Sequence, residues 1–345
     1  MDLHAVLTPP LSFPLTPFTD DDRLALDVLA VHVEQQVAAG TTALFIACGT
    51  GEFTALSREE YREVVALAVK TVAGRIPVFA GVGGGPAVAR EYLADAADCG
   101  ADGVLLLPPY LVSSTPEGVL GHIRYVVRDS PLPVIVYQRA NARLSPATAL
   151  ALLDLPQVVG LKDGLGDVEQ MQRIVATVRT SGHERAADFY FLNGLPTAEL
   201  SARAYAAIGV GSYSSAVHSF APDLAHGFAR ALASGDDALV DALLAAFLLP
   251  LADLRDKVPG YAVSLVKAAA VREGLAVGRV RPPLVEAEEE HVDELVRLIA
   301  AGRAVLAASA AGTPSGATTS GATTSSATPS SATPSAAAST VEEAK

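Results

Sequence analysis

Along most of the chain, short apolar runs alternate with longer stretches in which apolar positions recur every three or four residues. The short runs are Ser12–Leu15, Ala43–Ala47, Val78–Ala80, Val104–Leu107, Val134–Tyr137, Val158–Lys162, Phe189–Leu192 and Ile208–Gly211. Several follow a Gly or Pro that ends the preceding stretch, as in AAG-TTALFIA, AGRIPVFAG and CGADGVLLLPP. Continuous apolar runs, in place of alternating ones, predict strands buried on both faces. The longer stretches predict helices over Arg23–Ala39, Arg58–Val72, Ala87–Asp98 and Val168–Thr180, and Ser57 with Glu60 is a capping-box start for the second. Three further helices are predicted over Asp236–Asp256, Tyr261–Glu273 and Leu284–Leu306.

Eight strand signals with helices between them predict an α/β fold, a (β/α)8 TIM barrel over residues 1–234. A C-terminal helical extension over 235–306 packs on it. A doubly wound sheet is the main rival, but no GxGxxG with a downstream acid follows the first strand. From about Ser309 to Thr340 the chain is almost entirely Ala, Gly, Ser, Thr and Pro, with no Leu, Ile or Phe. Such a stretch buries too little apolar area to offset the entropy of ordering, so 307–345 is predicted to be a disordered tail.

Composition narrows the partners. With 25 Lys+Arg against 38 Asp+Glu the formal charge is -13. That balance argues against nucleic acid or an anionic membrane surface as a partner. No apolar run reaches the roughly 20 residues of a membrane helix, and MDLHAVLTPP has no signal-peptide core. The two cysteines, Cys48 and Cys99, form no CxxC pair, so the expected setting is reduced and cytoplasmic. The 7 histidines make no HxH or HExxH pair, and no metal site is expected. His218, the one nearest a strand end, is read as a loop cap, and Cys48 as a small buried residue beside a glycine turn.

In a TIM barrel, chemistry sits at the C-terminal ends of the strands. The sixth strand ends in Lys162, which closes the apolar run VVGL. Desolvation lowers a lysine's pKa and leaves an amine able to attack a carbonyl. A snorkelling lysine paired with Asp163 at the rim is an equal reading on position alone. Tyr137 closes the neighbouring fifth strand at a similar count and is within reach as a proton shuttle. The pair describes a Schiff-base site. The Gly49-Thr50-Gly51-Glu52 turn exposes backbone N–H groups suited to a carboxylate, or serves as a tight connection. Gly81–Gly85 suggests close backbone packing beneath a ligand.

FPLTPF, GTGEF, PPY, VIVYQRAN and GLKDGLGD together resemble the class I lyase family that includes dihydrodipicolinate synthase and N-acetylneuraminate lyase. The resemblance runs from about Leu11 to Arg303. It implies a homotetramer of (β/α)8 barrels, with Lys162 as Schiff-base lysine, Tyr137 as general acid/base and no metal or organic cofactor. Gly49 and Thr50 would receive the carboxylate next to the substrate ketone, with Thr50 assisting Tyr137. The chain departs from the synthase pattern in two places: Gly49-Thr50 replaces paired threonines, and Tyr110-Leu111 replaces a tyrosine pair. Together with YQRAN and NGLPTAELSARAYAAIGVGSYSSA, these point to a dehydratase branch acting on a keto-deoxy sugar acid, a dicarboxylate. The alternatives are a keto-deoxy sugar acid aldolase, a synthase-type lyase and a non-catalytic sugar-acid binding barrel. The far carboxylate is assigned to Ser212, Ser214 and Ser215 with Arg139 or Asn141. For the family's second-carboxylate arginine, Arg139 and Arg143 are both candidates. Asn193 either contacts a substrate hydroxyl or holds the strand-seven turn.

Overall fold

The computed structural model describes residues 2–109 and 112–312. They form a closed barrel of eight parallel strands in sequential order. The strands are β1 (Leu11–Ser12), β2 (Leu44–Ile46), β3 (Val78–Val82), β4 (Gly103–Leu106), β5 (Val134–Gln138), β6 (Val158–Asp163), β7 (Tyr190–Asn193) and β8 (Ser212–Ser215). Helices α1 (Leu3–Val6), α2 (Leu26–Ala38), α3 (Arg58–Val72), α4 (Pro86–Asp98), α5 (Pro116–Val127), α6 (Pro146–Leu150), α7 (Val168–Arg179), α8 (Ala202–Ala207) and α9 (Pro222–Ser234) surround it. The predicted helix starts hold where a cap specifies them: Ser57 and Glu60 make the reciprocal capping box of α3.

The core has three parts. Inside the barrel, Leu11, Phe45, Phe79, Leu105, Ile135 and Leu192 pack together, with Leu3 and Leu7 of the N-terminal segment beneath them. Phe13, Phe45 and Phe79 stack in sequence, with ring centroids 4.7 and 4.9 Å apart. Outward-facing strand residues pack on α2 to α8. A separate cluster joins Tyr213 and α9 to the C-terminal extension, which comprises α10 (Asp237–Leu243), α11 (Leu249–Asp256), α12 (Tyr261–Arg272) and α13 (Glu289–Gly312).

Three expectations need correction. The apolar run Ile208–Gly211 is not strand eight. Gly209 at φ +85° closes α8, with Val210 N–H donating to Tyr205 O and Gly209 N–H to Ala206 O. This is the six-to-one and five-to-two pattern of a Schellman cap, and the strand begins at Ser212. The helix predicted over Asp236–Asp256 contains a π-helical turn, Leu244–Leu248, just ahead of Pro250. Proline lacks the N–H of a regular turn and clashes with the preceding carbonyls, so the ladder widens there. The last helix starts at Glu289, not Leu284, and runs on to Gly312, so residues 307–312 are helical where the tail was expected. The rest of the predicted tail and the Tyr110-Leu111 departure lie outside the described residues. Among those described, no helix is long and apolar enough to cross a membrane.

Candidate active site

Strand pleat decides which strand-end residues share a cavity. Side chains alternate between faces, and in the β5–β6 ladder Tyr137 is opposite Lys162 while Gln138 is opposite Asp163. Tyr137 and Lys162 point into the barrel mouth. Gln138 and Asp163 point outward, where Gln138 Nε2 donates to Asp163 Oδ1 at 2.8 Å. Asp163 also accepts from the Tyr205 hydroxyl and from the N–H groups of Leu165 and Gly166. The Asp163 carboxylate, the rim partner of the alternative reading, therefore lies on the other face of the sheet from Lys162 with its own donors.

Lys162 is 5% exposed. Its Nζ lies 3.9 Å from the Phe13 ring centroid and 4.6 Å from that of Tyr137. No carboxylate forms an ion pair with it among the described residues. Burial lowers its pKa to about 7; the Cys48 thiol opposes that shift and the Arg139 charge adds to it. Near neutrality much of this side chain is free amine, the nucleophilic form. Two glycines leave room for the pair. A Cβ at Gly194 would sit 2.2 Å from Lys162 Cε, and one at Gly164 would sit 2.6 Å from the Tyr137 hydroxyl.

The Tyr137 hydroxyl donates to Gly194 O at 2.9 Å and accepts from Arg139 Nη1 at 3.4 Å. Burial raises its pKa, with Arg139 opposing. It holds its proton at neutral pH and is an acid that Arg139 can help to ionise.

A cavity of about 430 Å³ opens over this pair, lined at its reacting end by Gly49, Thr50, Tyr137, Arg139 and Lys162. The Gly49–Glu52 turn is held from two sides. Thr16 donates to Gly51 O at 2.7 Å. From the extension, Lys267 Nζ lies 2.7 Å from Glu52 Oε1, and Arg281 N–H donates to Glu52 Oε2 at 2.9 Å. Glu52 itself has left-handed backbone, φ +53°, a conformation a non-glycine residue keeps only where its surroundings hold it. Cys48 is buried beside the turn and its thiol is pushed up to about 12 by burial, so it is no nucleophile at neutral pH. Gly81 serves close packing: a Cβ there would lie 2.2 Å from Ala47 O.

The other sequence-predicted residues divide by the same pleat. Ser214 lines the cavity, and its hydroxyl donates to Asn193 O at 3.4 Å. Ser212 faces the barrel floor and donates to Leu7 O at 3.1 Å. Ser215 faces outward and donates to the buried Glu199 at 2.5 Å. Asn193 is outward too, donating to Ala198 O and Ser201 Oγ and accepting from Leu195 N–H, so it holds the turn after β7. Asn141 donates to Pro109 O and Val112 O, tying the loop after β5 to the one after β4. Arg143 is exposed and caps Ala140 O at 3.1 Å. None of Ser212, Ser215, Asn193, Asn141 and Arg143 lines the cavity. His218 is fully buried, bonded to Gln36 at 2.7 Å and His226 at 3.2 Å, and its pKa is lowered to about 3 by burial and the neighbouring imidazoles.

Sequence reasoning missed Thr197 and Arg255, which also line the cavity. Arg255 is the last arginine of α11, in a segment read only as packing. Nothing in its local pattern marks it. Thr197 lies in the NGLPT loop after strand seven, part of the segment that carries the family resemblance, and that is the only signal available for it. Among the described residues no group of three His, Cys, Asp or Glu side chains is arranged to hold a metal.

The profile of the dihydrodipicolinate synthetase family matches residues 7–302. This chain belongs to the dihydrodipicolinate synthetase family. Its relatives include a Streptomyces griseus protein described as a probable 5-dehydro-4-deoxyglucarate dehydratase, 52% identical over 302 residues, which are 88% of this chain and 94% of that one. A Streptomyces coelicolor protein of the same description is 51% identical over 299 residues, 86% of this chain and 93% of the relative. Among solved structures, dihydrodipicolinate synthase from Oceanobacillus iheyensis superposes with a TM-score of 0.79 at 25% identity, covering 87% of this chain and 98% of that one. The match to the family thus includes the barrel and most of the extension that braces the Gly49–Glu52 turn.

Proposed function

We propose that the chain is a Schiff-base lyase that converts 5-dehydro-4-deoxy-D-glucarate to 2,5-dioxopentanoate, water and CO2. One observation carries the reading: a buried lysine without a counter-ion, its pKa lowered to about 7, stands in register with a buried tyrosine at a barrel mouth. The likeness to the Streptomyces proteins described as probable 5-dehydro-4-deoxyglucarate dehydratases supports the substrate.

The free amine of Lys162 attacks the ketone, and Tyr137 donates the proton that lets the carbinolamine oxygen leave as water. The backbone N–H groups at Gly49 and Thr50 receive the adjacent carboxylate. The iminium acidifies the neighbouring methylene, which gives up a proton to the Tyr137 relay assisted by Thr50. The enamine pair then expels hydroxide from the next carbon, and this leaves protonated as water. What remains is an iminium conjugated with a carbon–carbon double bond. The far carboxylate departs as CO2, and its bonding pair passes through that conjugated system to nitrogen. Reprotonation at carbon and hydrolysis, which consumes one water, free Lys162 and the product. The scheme calls for no metal or organic cofactor. The same reading takes the protein to be a cytoplasmic enzyme of sugar-acid breakdown, assembled as a homotetramer, with 1–234 as barrel, 235–306 as extension and the remainder as a tail.

Borohydride reduction in the presence of the keto acid tests the reading. The expected result is a stable mass increment on the Lys162 peptide, with CO2 and 2,5-dioxopentanoate released when borohydride is omitted. An unmodified peptide sinks the Schiff base. Release of pyruvate without CO2 assigns the site to an aldolase instead.

A further inference from the structure

Three cationic side chains line the cavity among the described residues, Lys162, Arg139 and Arg255, and no Asp or Glu does. The first is committed to the ketone, and the second touches the Tyr137 hydroxyl at the same end. Arg255 reaches the cavity from α11 of the extension, beside Thr197 of the loop after β7. Resting on the dicarboxylate reading above and deepening it, we infer that Arg255, presented by Thr197, is the specificity-determining residue that receives the carboxylate farthest from the ketone.

The geometry of Arg255 suits that part. Its Nη1 donates to Thr197 Oγ1 at 2.7 Å. Thr197 is three residues beyond Gly194, which packs on the Lys162 stem, so this hydrogen bond fixes the guanidinium relative to the amine. Thr197 keeps left-handed backbone, φ +50°, a strain that tends to gather where a loop must present a group. Arg255 Nε and Nη2 donate to Asp256 at 2.8 Å each. A guanidinium has five N–H donors, and these contacts engage three, leaving two for a ligand.

Asp256 is 67% exposed at its side chain and does not line the cavity. It orients the guanidinium from outside and offsets part of its charge. That partial offset matters for a carboxylate that must leave as CO2. A fully uncompensated cation would stabilise the bound carboxylate and oppose its loss, whereas a compensated one orients it at less cost to the departing step. Leu195, Val217, Phe220 and Leu251 add apolar lining to the cavity, an environment that favours a neutral leaving molecule over a carboxylate.

The test is borohydride trapping on the full chain, titrated with two probes: the six-carbon keto-deoxy dicarboxylate, and the keto-deoxy hexonate with a hydroxymethyl group in place of the far carboxylate. In Arg255→Ala, half-saturation for the dicarboxylate rises about ten- to hundredfold, the range of a charge-assisted contact. The hexonate value stays as in the unaltered protein. Arg255→Lys recovers part of the loss, and Thr197→Val, which keeps the charge, shows a smaller shift in the same direction. If Arg255→Ala traps both acids as the unaltered protein does, or loses both equally, the inference is overturned while the Schiff base stands. If the unaltered protein traps neither acid, the proposed reaction fails and the inference with it.

Discussion

Among the described residues two lysines are almost completely buried, and their surroundings are opposite in kind. Lys162 is 5% exposed and Lys267 2%. Each has its ammonium over a phenylalanine ring, Phe13 at 3.9 Å for the first and Phe18 at 4.3 Å for the second. Burial lowers the pKa of both. They differ in what else is there. Lys267 has the Glu52 carboxylate at 2.7 Å and donates to Arg279 O at 2.7 Å, and Glu52 opposes the downward shift. Lys162 has a phenol for a neighbour and, among the described residues, no carboxylate. A compensated buried lysine is a tie between parts of the fold; on the proposed reading the uncompensated one is a nucleophile held ready.

Replacing each by methionine, which keeps most of the stem volume, is the most direct way to break the comparison. Lys162→Met is expected to lose turnover by about 10⁶-fold or more, the span of ordinary enzymatic acceleration, together with borohydride trapping. Lys267→Met leaves the buried Glu52 without its counter-ion, with only the Arg281 N–H still donating to it, and the expected cost is about 3–5 kcal/mol of stability in a urea titration. It should still trap the keto acid on Lys162 at temperatures where it stays folded. If the folded Lys267→Met protein traps nothing, the two lysines are not separable and the contrast fails.

The next effect is smaller and sharpens the role of the phenol. Tyr137→Phe keeps the ring beside Lys162 but removes the hydroxyl that bonds Gly194 O and Arg139. A loss of about 10²–10⁴ in kcat is expected, the usual worth of a positioned acid or base. Single-turnover measurements should show slower adduct formation with an unchanged final yield. A Tyr137→Phe enzyme with an unchanged rate would move the proton transfer to Thr50 or Arg139.

How much of this was legible beforehand follows from what each signal depends on. Strands β2 to β7 and helix α3 were readable because apolar runs and caps are local. Strand eight was misplaced because IGVG has the look of a strand and is a Schellman cap, while SYSS, the real strand, is polar. Its serines are accommodated because Leu7 O, Asn193 O and Glu199 each accept from one of them. Lys162 and Tyr137 could be set opposite each other from sequence because register is carried by strand-end position. Asn193 and Ser215 are parted from the pair by the pleat, which sends adjacent residues to opposite faces, whereas Ser212 shares the inward face but sits deeper, against Leu7 O at the barrel floor. Arg255 and Lys267 were invisible for another reason: each meets the barrel only through tertiary packing of the extension, and no local pattern encodes that.

The smallest effect tests the comparison at its root, which is whether Lys162 gives up its proton in the folded chain. An exposed lysine in the unfolded chain keeps its proton up to about pH 10.4, whereas in the fold Lys162 holds its proton only up to about pH 7. Below pH 7 both states are protonated, and the fold carries the full cost of a buried, unpaired ammonium. Between pH 7 and about 10 the unfolded chain binds the extra proton, so stability from this group rises with pH and the cost fades. Lys162→Met removes the cost at every pH. It should therefore melt several degrees above the unaltered protein near pH 6, a gain on the order of a few kcal/mol, and the gap should close as pH approaches 10. Lys267→Met should melt lower than the unaltered protein near neutral pH. A gap for Lys162→Met that fails to shrink with rising pH would mean that Lys162 stays protonated in the fold. It would then be a second structural ammonium, and the amine the chemistry needs would be absent at neutral pH.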